Sequence, residues 1–142
     1  MEQDFEILNF IRQNTQMGID GIKCIVEKVD DTQLEEALRK QLDEYTRIYN
    51  SANTLLLSKG GVPKDVNALA KISSHIAGII NTSNEDPVRK IAESMIKGSA
   101  VGVAKITHHI NNYNGDDDGV LNLAKCLKEF TEESIEEMKA FL

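Results

Sequence analysis

Apolar and small residues recur at alternating intervals of three and four along four long stretches of the chain. The first carries Leu8, Ile11, Thr15, Gly18, Ile22, Ile25 and Val29. The second carries Leu38, Leu42, Tyr45, Tyr49, Ala52 and Leu56. The third carries Val88, Ala92, Met95, Ser99, Gly102, Ile106, His109 and Tyr113. The last carries Val120, Leu123, Leu127, Phe130, Ser134, Met138 and Phe141. This spacing returns each position to one side of an α-helix, so the pattern predicts four long helices packed along their seams. No stretch alternates with the period of a strand.

Punctuation residues divide the pattern into elements. The first helix is expected over 2–29, ended by Asp30-Asp31. Thr32-Gln33-Leu34-Glu35 fits a capping box for a second helix over 33–59. Gly60-Gly61 closes it, since a glycine readily takes the left-handed conformation at a helix end. A shorter third helix is expected over 66–81, with Asp65 as its cap and Leu69, Ile72, Ile76 and Ile79 as its stripe. Residues 82–87 read as a loop that ends with Asp86 at the N-cap and Pro87 at the first helical position. The fourth helix is expected to reach Tyr113 and stop at Asn114-Gly115. Asp116-Asp117-Asp118-Gly119 is a turn whose acids favour the positive end of the last helix.

The long helices would each be about 36–42 Å long at 1.5 Å per residue. Two connections are tight, and the one between the second and third long helices is long and holds the short helix. Two hairpins joined by one crossover define the expected fold: an all-α, ferritin-like antiparallel four-helix bundle with a short extra crossover helix. A chain of 142 residues suits a single domain over 1–142.

Charge narrows the partners. Sixteen basic against 23 acidic residues give a net charge of −7. That balance disfavours nucleic acid and anionic membranes, which select basic surfaces. No apolar run approaches the roughly 18 residues of a membrane span, and no signal peptide is visible at the N-terminus. A cytoplasmic location is expected, with Cys24 and Cys126 as reduced packing residues.

Ala92-Glu93-Ser94-Met95-Ile96-Lys97-Gly98-Ser99-Ala100-Val101-Gly102-Val103 resembles the "ML-x-GS-x-MGI" segment of small bacterial ferritin-like bundle proteins of unknown function. The closing segment from Glu132 to Leu142 resembles their last helix, and Leu8-Asn9-Phe10-Ile11 with Gly18 resembles their first. The resemblance spans nearly the whole chain and implies a fold far more than an activity.

Ferritin-like bundles often hold two metal ions with Glu-x-x-His pairs. That motif is absent here: Glu44-Tyr45-Thr46-Arg47 places Arg where the imidazole is needed, and the last helix offers acids without His. No metal and no cofactor is expected. Lys97-Gly98-Ser99 resembles part of the phosphorylated segment of histidine phosphotransfer domains, but Ser94 occupies the histidine's place, which removes that chemistry. The run Glu132, Glu133, Glu136 and Glu137 reads as a solvated helix face. Among the histidines, His109 falls on a seam and is expected as a neutral core residue, His108 at the surface and His75 half-exposed.

Glycine inside a helix costs about 1 kcal/mol relative to alanine, so Gly18, Gly98 and Gly102 need a reason. One is close helix approach filled by a tyrosine. The other is a small mid-bundle pocket lined by Thr15, Gly18, Tyr45, Ser99, Gly102 and His109. The expected function is a non-catalytic interaction or oligomerisation module, a homodimer or the ligand of a protein partner. Its motivation is the apolar residues off the seams: Leu55, Leu57, Ile80, Ile96, Val101, Val103 and Ile110. The rival is a metal-binding or small-molecule-binding protein using the mid-bundle site around His109.

Overall fold

The computed structural model describes residues 1–65, 69–82 and 86–142. They form five helices: α1 (Glu2–Val26), α2 (Thr32–Ser58), α3 (Leu69–Thr82), α4 (Pro87–Asn111) and α5 (Asp118–Lys139). No strand occurs among the described residues. No described helix is long and apolar enough to cross a membrane.

The helix ends follow side-chain chemistry, with several shifts from expectation. Helix α1 stops at Val26, and Val29 packs against the core from the turn beyond it. The cap of α2 is Asp31, whose carboxylate accepts from the Leu34 amide at 2.8 Å. Thr32 is therefore the first helical residue, and Glu35 pairs with Arg39 one turn on instead of closing a capping box. At the other end Gly60 takes φ +78°, and the Gly61 amide donates back to the Leu56 carbonyl at 2.9 Å. Asp86 caps α4 with Pro87 in its first turn, and Asp117 caps α5. Helix α4 ends at Asn111, which frees Tyr113 from the helix to reach Asp4 of α1. The expected start of the third helix and most of the expected loop before Asp86 fall on residues 66–68 and 83–85, outside the described residues.

Cross-helix contacts fix the directions. Arg12 of α1 meets Tyr49 and Asn53 of α2, while Gly18 lies against Tyr45, so α1 and α2 run antiparallel. Gln41 of α2 bonds Glu137 and Arg47 reaches Cys126, so α2 and α5 are antiparallel too. Phe10 stacks near His109 and Asn14 lies beside Gly102, which opposes α1 to α4. The segment after α2 climbs along α1: Asn9 holds Val62 and Lys64, Arg12 holds Asp65, and Cys24 reaches Ser73.

Two apolar clusters fill the interior. One gathers Ile22, Leu34, Leu38, Tyr45, Ile91 and Met138, with Ile76 of α3 laid on it. The other gathers Leu8, Ile11, Ile48, Leu56, Ile106 and Leu127. Each fully buried Leu or Ile contributes about 2 kcal/mol. The apolar residues off the seams mostly join these clusters: Leu55, Ile80, Ile96 and Ile110 pack against them. Of that set Leu57 and Val101 are the large exposed ones, at 55% and 54%.

Candidate functional site

A cleft of about 400 Å³ opens between α1, α3 and α4. Sequence dictates its emptiness. Gly18 and Gly21 on α1 and Gly98 on α4 present no side chain where the helices face one another. A Cβ at Gly98 would meet nothing within 4 Å. Apolar walls come from Ile22, Ile72, Ile76 and Met95, and Tyr45 and Thr131 form the buried base. A second groove of about 480 Å³ shares Asn14, Met17 and Gly98 with the first and continues along α1 and α4.

The six residues singled out in the sequence divide between these places. Gly18, Tyr45 and Ser99 line the cleft together. Gly102 and His109 line the continuing groove. Thr15 belongs to neither: it is fully buried, and its hydroxyl donates to the Ile11 and Arg12 carbonyls of its own helix. Burial pushes the Tyr45 phenol above its ordinary pKa, and its hydrogen bond with Ser99 opposes that shift. Ser99 is thus the polar group that acts on the phenol, whereas the Thr15 hydroxyl is spent on its own helix. His109 is no core residue. It stands half-buried at the groove, its ring 4.9 Å from that of Phe10. Burial, then the charge of His108, holds its pKa below the ordinary histidine value. His108 is exposed, as expected; so is His75, more than expected, where it bonds Ser94 at 3.2 Å.

The sequence reading missed the contribution of α3. Lys71, Ile72, His75 and Ile76 close one side of the cleft. The stripe of α3 was visible, but the partner of its flanking residues depends on how the chain crosses the bundle. Electrostatics are one-sided here. The cleft and groove are lined by Lys71, Lys105 and the three histidines, and among the described residues no Asp or Glu lines either. In a chain of net charge −7 that is a local reversal of sign.

Among the described residues, no group of three or more His, Cys, Asp or Glu side chains is placed to hold a metal ion. Arg47, where a ferritin-like site needs imidazole, is bonded to Glu44 and to the Cys126 sulfur. Cys24 and Cys126 are both free and half-buried.

Comparison with protein-family models, with curated proteins and with solved structures returned no match.

Proposed function

We propose that this protein is a non-catalytic binding protein that holds an apolar organic acid in the cleft between α1, α3 and α4. The observation that carries the reading is the cleft itself: about 400 Å³, walled by aliphatic side chains and lined, among the described residues, by cationic or neutral groups without a carboxylate. Ligand sites combine an apolar body with a few placed polar groups. Here the body would lie against Ile22, Ile72, Ile76 and Met95. The acid group would face Lys71 and His75, and the Tyr45–Ser99 pair offers a further hydrogen bond.

The reading includes a ferritin-like topology with α3 as the crossover helix, supported by the antiparallel pairings of α1 with α2 and of α2 with α5 and by the contacts of Asp65 with Arg12 and of Ser73 with Cys24 on α1. It includes a cytoplasmic location, supported by two unpaired thiols. Self-association draws on fewer residues than the sequence offered, chiefly Val101 with Met17 beside the groove.

Thermal unfolding with octanoate and with 1-octanol tests the proposal. Octanoate at a hundredfold excess over its Kd should stabilise the fold by about 2.7 kcal/mol. Octanol, lacking the charge, should shift the transition less. Gly98→Leu, which fills the open space beside the cleft, should abolish the octanoate shift while leaving the helical content intact. An octanoate shift that survives Gly98→Leu, or no shift at all, overturns the reading.

A further inference from the structure

A second cleft, of about 360 Å³, lies between α2 and α5. The Tyr45 and Phe130 rings, edge to face at 4.8 Å, separate it from the first. Its chemistry is the opposite. Glu44, Glu129, Glu133 and Glu137 line it, against Lys40 alone as a cation. Glu44 is occupied by Arg47, whose guanidinium holds its carboxyl below the ordinary value. No ion pair among the described residues reaches Glu129 or Glu133.

The floor of this cleft contains an unmet acceptor. Gln41 is 3% exposed, and its Nε2 donates to Glu137 at 2.8 Å. A carboxylate only accepts, so that bond fixes the orientation of the amide. The Gln41 Oε1 is left buried with no donor. A buried carbonyl oxygen without a donor is costly, and a ligand bringing a hydrogen-bond donor would relieve that cost.

We propose that the α2–α5 cleft binds a linear aliphatic polyamine. One ammonium donates to Gln41 Oε1 and faces Glu137, and the next ones face Glu133 and Glu129. The acids of α5 recur every four residues, so the row spans about 12 Å in steps of about 6 Å. Amino groups separated by three or four methylenes have a matching interval, and the Phe130 ring offers an apolar surface to the carbon chain. Exposed ion pairs alone bind weakly. Specificity therefore rests on the buried amide. This inference is independent of the organic acid proposed for the other cleft.

Calorimetric titration of the full chain with spermidine tests it. One spermidine per chain is expected. Gln41→Met, which keeps the volume and removes the acceptor, should weaken binding about tenfold, and Glu133→Gln, at an exposed position, about threefold. Glu2→Gln, outside the cleft, should leave it unchanged. Magnesium ion at equal charge should fail to displace the amine. Should Gln41→Met unfold the chain, Glu133→Gln and the magnesium competition decide. No binding, binding indifferent to Glu133→Gln or to a folded Gln41→Met, or displacement by magnesium overturns the proposal.

Discussion

Two interior helix glycines, Gly18 and Gly98, should respond differently to alanine, Gly98 with a gain in stability and Gly18 without one. Both occupy helix interiors, where alanine gains about 1 kcal/mol in propensity. Their surroundings differ. A Cβ at Gly98 meets nothing within 4 Å, so Gly98→Ala should realise the whole gain. A Cβ at Gly18 would lie 2.8 Å from Tyr45 Cζ and 2.9 Å from Cε1 and Cε2. The tyrosine ring cannot easily withdraw. It is 5% exposed and braced edge-on by Phe130. Overpacking of this kind costs about 1–3 kcal/mol. Set against the propensity gain, Gly18→Ala should range from neutral to about 2 kcal/mol destabilised.

The two variants should therefore differ by about 1–3 kcal/mol, or about 4–12 °C in Tm at about 4 °C per kcal/mol. Thermal and urea unfolding followed by circular dichroism reads this difference directly. Repeating Gly18→Ala in a Tyr45→Leu background tests the cause, because removing the ring should convert the substitution from a loss to a gain. If Gly18→Ala is as stable as Gly98→Ala in the native background, the tight approach of α1 to Tyr45 is wrong, and with it the base of the cleft.

Other residues give sharper, smaller tests. Arg12 is buried and holds Asn53, Tyr49 and Asp65 at 3.1–3.2 Å; Arg12→Ala should cost about 2 kcal/mol, through the lost packing of its stem and the Asn53 and Tyr49 acceptors left without their donor. Asp65→Ala should cost at least as much, because it leaves the buried guanidinium without its counter-charge, and hydrogen exchange of residues 62–65 should rise in both variants. In ultraviolet titration, Tyr45 and Tyr113 should ionise above the ordinary tyrosine value of 10.0, because burial raises both. Lys59 and Asp117 should set part of the pH profile. The bond to Lys59 lowers the Asp117 pKa, so its contribution is complete above the ordinary aspartate value of 3.8 and lost as pH falls through the lowered one. The same bond raises the Lys59 pKa, so that contribution is complete below 10.5 and lost as pH rises through the raised value. Asp117→Asn, which keeps an acceptor for the Val120 amide, should lower Tm less than Asp117→Ala and should flatten the acid limb; an unchanged acid limb would refute the ion pair.

Helix existence was legible because seam burial needs only local period. Leu8, Ile11, Thr15, Ile22 and Ile25 are buried as the three-four spacing demands. The seams nevertheless gave an incomplete core, omitting Ile48, Ile91 and Ala124, all nearly or wholly inaccessible. Each lies one helix position beside the marked stripe. A helix in contact with more than one neighbour buries a broad face, whereas a strict heptad seam describes a single partner. The same effect explains why Ile80, Ile96 and Ile110 read as a surplus surface and are instead part of the packing.

The candidate site was legible only where its cause was local. Glycines inside helices announced that something approached closely or that space was left, and both explanations hold, at different positions. Gly18 accommodates Tyr45, while Gly98 opens onto the cleft. What the sequence could not show was which residues complete each wall. Lys71 and His75 stand near one another by helix periodicity, yet only the contacts of Asp65 and Ser73 with α1 bring them opposite Gly18 and Gly21. Gln41 carries no signature at all in the sequence, because its significance is an atom without a donor, and that depends on Glu137 lying 96 residues away. Chemistry assembled across a long connection is invisible to spacing rules, whereas strain or space inside one helix is not. A positively lined cleft and an acidic one therefore stand on either side of the Tyr45–Phe130 pair, although neither set of charges forms a motif along the chain.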